Sequence, residues 1–82
     1  MHALIRFDTK DADAFLTAYD AASERRDQAG LNQLQLWRED GTTTVWGLYE
    51  ASDQGKVADW LTSETGLRDS LTGTEAHYLR TA

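Results

Sequence analysis

The chain is predicted to fold as an α+β domain with element order βαββαβ, a four-stranded antiparallel sheet carrying two helices on one face. Three observations predict it. Strand-like runs at 32–38 and 42–49 flank Glu39-Asp40-Gly41, and Asp-Gly between alternating runs is a strong hairpin signal. That turn falls at the midpoint of the 82 residues. Each side of it carries one amphipathic run of helical spacing and one further strand-like run.

The first strand covers 2–8, where Ala3, Ile5 and Phe7 alternate with His2, Leu4, Arg6 and Asp8, so both faces hold apolar groups. Thr9 or Asp11 can cap the helix after it. From Ala12 to Ala29 the apolar positions Phe15, Leu16, Tyr19, Ala22 and Ala29 recur at helical spacing opposite Asp13, Thr17, Asp20, Glu24 and Asp27, which predicts one helix. Gly30 ends it as a residue free to turn left-handed, with Arg25 and Arg26 complementing the helix dipole.

Register decides what each face of the hairpin holds, because a slip of one residue sends every side chain to the other side. A three-residue loop at Glu39-Asp40-Gly41 sets Arg38 opposite Thr42 and groups Leu34, Leu36, Trp46 and Leu48. A two-residue turn at Asp40-Gly41 instead groups Leu34 and Leu36 with Val45, Gly47 and Tyr49, leaving Trp46 beside Trp37. The first arrangement segregates the apolar bulk better and is the expected one. Ser52 is the expected cap of the second helix, whose buried stripe is Val57, Ala58, Trp60 and Leu61. Gly66 is expected to break that helix, Leu67 to Leu71 to form a further turn, and Glu75 to Arg80 the last strand.

This order is the ferredoxin-like plan, one domain over residues 1–82, and nothing in the sequence covers the second face of its sheet. A domain of this length buries only about 60 to 65% of its unfolded surface, so its core is thin. With no cysteine, neither a disulfide nor a thiolate metal site can reinforce it. A second copy stacked on the open face is the economical remedy, and a homodimer is expected. Fourteen acidic against eight basic side chains, net charge −6, repel nucleic acid and anionic lipid. No cationic leader and no apolar run of about 18 residues is visible, so the expectation is a cytoplasmic protein with no membrane contact.

Resemblance adds to this. Ala29-Gly30-Leu31 closing a helix before Gln33 to Arg38, a strand ending Leu48-Tyr49-Glu50-Ala51, and the run from Trp60 to Asp69 leading through a short second helix into the last strand resemble the dimeric α+β barrel superfamily. The closest branches are the antibiotic-biosynthesis-monooxygenase-like proteins and allied small uncharacterised families. The resemblance implies two stacked sheets forming a barrel, and a pocket for a small organic molecule between each sheet and its helices, with no cofactor.

This chain offers such a pocket Tyr19, Trp46, Trp60 and His77, an aromatic wall with one titratable group suited to a planar aromatic or quinone-like ligand. Against that, aromatic side chains in a thin core chiefly fill volume. His77 is the candidate general base, because imidazole exchanges protons near neutral pH. His2 and His77 lie on adjacent strands in this plan, but no further His or Cys exists to complete a metal site. Arg6, Arg38 and Arg80 can grip a carboxylate or phenolate, and can equally pair across the sheet. No Gly-x-Ser-x-Gly elbow and no Gly-rich phosphate loop is present. The residues support two readings: a small-ligand-binding protein, and, as the alternative, a cofactor-independent monooxygenase-like enzyme.

Overall fold

The computed structural model describes residues 1–63 and 65–82. The elements run β1 (His2–Thr9), α1 (Ala12–Ala21), α2 (Ser23–Gln28), β2 (Leu31–Arg38), β3 (Thr44–Ala51), α3 (Gln54–Ser63), α4 (Thr65–Arg68) and β4 (Leu71–Leu79). All strand pairs are antiparallel, in the order β2-β3-β1-β4. The expected α+β plan is the one observed, with α1 and α2 standing for the first helix and α3 and α4 for the second.

Alternation on the two inner strands separates the faces. Ala3, Ile5, Phe7, Val45, Tyr49 and Ala51 are buried, and the helices add Phe15, Tyr19, Val57, Trp60 and Leu67 above them. Phe7 is the hub: its ring lies 5.0 Å from Phe15, 6.1 Å from Tyr19 and 6.4 Å from Trp60, the last edge-on at 90°. Such tilted and edge-on contacts suit the ring quadrupoles.

Local signals place the helix ends. Asp11 caps α1, its Oδ1 accepting from the Asp13 and Ala14 amides at 2.9 and 3.2 Å. Asp53, not Ser52, caps α3, taking the Gly55 and Lys56 amides at 2.8 and 3.2 Å. The Ser52 amide instead donates to the Gly30 carbonyl at 3.3 Å, which ties β3's end to the turn before β2. Gly30 sits at φ +75°, left-handed as its position after a helix predicts.

The expected single helix over 12–29 is divided at Ala22, whose amide reaches both the Ala18 and the Tyr19 carbonyls, at 3.1 and 3.2 Å. Periodicity could not reveal this, because the apolar face continues across the break. Gly66 lies inside α4 rather than ending a helix, and the passage from α3 to α4 runs through Glu64, outside the described residues. The last strand starts four residues earlier than expected, because a shift beside Asp8 and Thr9 lets β1 continue pairing as far as Leu71.

Neither expected hairpin turn is present. Glu39 and Thr44 close the loop, the Glu39 amide donating to Thr44 O at 3.0 Å, so 40–43 form a four-residue connection. Leu36 then pairs with Gly47 and Trp37 with Trp46, and the pairing shifts again at Leu34, an extra residue between Gln33 and Gln35 that is 47% exposed. Trp46 and Leu48 therefore share the open face, which corrects the expected grouping with Leu36. The physical reason is Tyr49, whose ring lies over Gly47 so closely that an added Cβ there would collide with its hydroxyl end. A tryptophan cannot occupy that side.

Gly47→Ala is expected to cost about 1–3 kcal/mol, since the methyl must displace a packed ring. Urea denaturation of the two proteins checks it; equal midpoints would mean that the ring does not need the vacant position.

Candidate functional site

The sheet divides the four sequence-derived candidates. Tyr19 and Trp60 lie on the helix-covered side, 1% and 5% exposed. Trp46 and His77 lie on the open face, since Trp46 pairs with Arg6, and His77 with Leu4, in the non-core rows. The four do not converge on one pocket. The space expected between sheet and helices is occupied by the Phe7, Phe15, Tyr19 and Trp60 rings.

On the covered side a polar chain runs inward. Tyr19 donates its hydroxyl to Gln33 Oε1 at 2.6 Å, which leaves the Tyr49 hydroxyl, 2.7 Å away, to donate to Tyr19. Arg26, 9% exposed, lies with its guanidinium 3.6 Å from the Tyr19 ring centre and donates through Nη1 to the Tyr19 carbonyl. That carbonyl belongs to the last turn of α1, the negative end of its dipole, so Arg26 is held by a helix end and a ring face. Among the described residues no carboxylate pairs with it. Burial pushes the Tyr49 hydroxyl far above the usual phenol range, with the neighbouring Tyr19 adding to the effect. Burial also raises Tyr19, against the Tyr49 hydrogen bond and the Arg26 charge, which lower it.

The open face is ordered in cross-strand rows. One is Trp37, Trp46, Arg6, Glu75; the next is Gln35, Leu48, Leu4, His77; the third is Asn32, Glu50, His2, Leu79. Trp37 and Leu79, on the two edge strands, are 45% and 46% exposed. Part of the charge here is paired within the face. Glu75 takes Arg6 Nη1 at 2.8 Å on one oxygen and His77 Nε2 at 2.9 Å on the other, and Arg6 Nε also reaches Asp8 at 3.2 Å. Trp46 donates its indole N–H to Glu39 Oε1 at 3.0 Å. Glu75 was the residue that sequence reasoning missed, although its position two before His77 on a strand puts both on one face.

A second concave feature lies between α2 and α3. A groove of about 280 Å³ is lined by Arg25 and Gln28 on one helix and Lys56, Asp59, Trp60 and Ser63 on the other. The Trp60 indole N–H is buried with no hydrogen-bond partner among the described residues, a state that costs about 1–3 kcal/mol. Among the described residues no group of three or more His, Asp or Glu is placed to hold a metal ion. No described helix is long and apolar enough to cross a membrane.

No protein-family profile matches the chain, and no curated protein matches it in sequence. Solved structures do. An uncharacterized NIPSNAP domain protein from Burkholderia xenovorans superposes with a TM-score of 0.65 at 15% identity, over 100% of this chain and 95% of that one. Protein Atu4242 from Agrobacterium tumefaciens gives a TM-score of 0.70 at 18% identity, over 100% and 94%. At these identities the likeness establishes the fold.

The buried tyrosines set the response to alkali. Because folding raises both phenols, their contribution is complete below pH ~10, the unfolded value, and is lost as pH rises beyond it. Stability is expected to fall there by up to about 1.4 kcal/mol per pH unit for each buried phenol. Urea melts across that range test this, and a flat profile would contradict it. Tyrosinate absorbance should appear together with unfolding rather than ahead of it.

Proposed function

We propose that this chain is a single-domain, homodimeric binding protein for small organic molecules, working without a resident cofactor, in the manner of the dimeric α+β barrels. The observation that carries the reading is the open face. Trp37, Leu79 and Leu34 are 45–47% exposed, and Leu4, Trp46 and Leu48 stand half-buried around them with no helix over them. Arg6 is matched within the face by Asp8 and Glu75, which together with Glu50 leave the face net negative, so its apolar side chains rather than its charges favour a second copy.

Magnitude supports a dimer of moderate strength. Strand spacing of about 4.8 Å and a rise of about 3.3 Å per residue make the face about 500 Å². Two copies then cover about 1,000 Å², the lower bound for a specific interface. Stacking also brings Trp46 and His77 of both copies into one enclosed layer, where a planar aromatic or quinone-like molecule would lie against the Trp37 and Trp46 row. Tyr19 and Trp60 support that layer from behind, through the sheet.

The contact between His77 and Glu75 favours a second reading, a cofactor-independent monooxygenase-like enzyme. A carboxylate on one imidazole nitrogen orients the ring and leaves the other to take a substrate proton.

Light scattering on a dilution series tests assembly. The wild type should behave as a dimer of about 18 kDa, twice the 9.2 kDa chain, dissociating at concentrations on the order of micromolar. Trp37→Glu and Leu79→Glu change exposed positions and should leave a folded monomer. A wild-type monomer at every concentration would end the dimer reading. Naphthoquinone quenching of tryptophan emission in the dimer that is lost in the Leu79→Glu monomer supports the binding reading. Turnover that disappears in His77→Ala while quenching persists favours the enzyme.

A further inference from the structure

Both histidines of the chain stand on the open face, and each stands beside a glutamate. His77 Nε2 lies 2.9 Å from Glu75 Oε1 along β4. His2 on β1 is paired across the sheet with Glu50 on β3 and with Leu79 on β4. Side chains directly opposite on one sheet face stand about 5 Å apart at Cβ, so Glu50 is the charge nearest His2 across the strands. The other charges around the two imidazoles lie in the same rows. On β1, Arg6 reaches Glu75 at 2.8 Å and Asp8 at 3.2 Å, and at the hairpin end Glu39 is held by the Trp46 indole N–H at 3.0 Å. The residues that β2 gives to these rows, Asn32, Gln35 and Trp37, carry no charge. In the paired rows, three carboxylates, Asp8, Glu50 and Glu75, against the one guanidinium of Arg6 leave the face at −2 while both imidazoles are neutral.

We propose that the open face is an acid-responsive interface between two copies of this chain, with His2 and His77 as the groups that switch it. The inference rests on the homodimer reading of the same face and adds its regulation. Two stacked copies set one net-negative face against another, and an interface of about 1,000 Å² is small enough for that repulsion to govern its strength. Imidazole as a class takes up a proton near pH ~6.5, while carboxylates titrate about two units lower and stay ionised there. Protonating both histidines brings the paired rows from −2 to neutral and leaves the apolar contacts of Trp37 and Leu79 as they are. Each imidazolium then lies beside a carboxylate of its own copy and offers a cation to the acidic rows of the copy opposite. Association therefore takes up protons. By linkage, Kd falls as pH falls through the imidazole range and is level above it.

Sedimentation equilibrium at low salt, at about pH 7.5 and about pH 5.5, reads the dimer Kd on either side of the imidazole range. The wild type should tighten by about tenfold or more at the lower pH. The double variant His2→Gln, His77→Gln changes two exposed positions and keeps an N–H donor at each without a group to protonate. It should hold the neutral-pH Kd at both values, which separates the histidines from the general loss of negative charge on acidification; circular dichroism confirms that it is folded. Raising salt from about 20 to about 500 mM should tighten the wild-type dimer at the higher pH, by screening the repulsion, and change it little at the lower. A wild-type Kd that is equal at the two pH values or weaker at the lower, or a double variant that tightens as the wild type does, overturns the inference and leaves the dimer reading standing. A wild-type monomer at every concentration and both pH values ends both.

Discussion

The closest constraint in this structure is the Tyr49 ring lying over Gly47. Two residues apart on β3, both point to the covered side, and only a residue with no side chain leaves the ring room to fold back. From there Tyr49 reaches the Tyr19 hydroxyl at 2.7 Å and through it Gln33 on the edge strand, so one tyrosine ties β3, α1 and β2 together. Alternation then places the neighbours. With 45, 47, 49 and 51 inward, Trp46 and Leu48 must face outward, and the open face acquires its aromatic and aliphatic stripe as the other side of the same strand. The core and the bare surface are thus one decision.

Much of the fold was legible because it rests on local chemistry. Strand alternation in β1, the Asp11 cap, the glycine after the first helical run and the order of elements are each written within a few residues. What was not legible depends on contacts distant in sequence. The hairpin register hinged on Gly47 accepting a ring, and grouping apolar bulk pointed the wrong way because Trp46 is apolar yet half-exposed. The break at Ala22 depends on where the Tyr19 carbonyl finds its donors, including the Arg26 side chain seven residues on. The length of β4 depends on the pairing shift beside Thr9. Asp53 rather than Ser52 caps α3, its carboxylate taking the Gly55 and Lys56 amides. Of the candidate site, residue types were legible but their convergence was not: an error in register moved Trp46 across the sheet, while the position of His77 is set by β4 pairing.

The two sides of the sheet carry different chemistry. The open side is broad, flat and apolar at its rim, with its charges grouped on Glu75, a surface whose nature is to be covered. Its ion pairs are half-exposed and contribute at most about 1 kcal/mol each, so they organise side chains more than they stabilise the sheet. On the helix side the interior holds rings packed on Phe7. Among the described residues, concave surface lies between α2 and α3 and at the strand ends beside Gly30 and Ala51.

Trp60 joins these two regions. Its ring meets Phe7 edge-on at 6.4 Å, while its other side lines the groove. Whatever packs against Trp60 at the groove therefore acts on the core as well as on the surface. Binding to the native state alone raises stability by RT ln(1 + [L]/Kd), and in a thin core that increment is a large part of the whole. A chain of this size gains rigidity from whatever occupies its surfaces. A second copy on the open face would act in this way, fixing the side of the sheet opposite the ring-packed core.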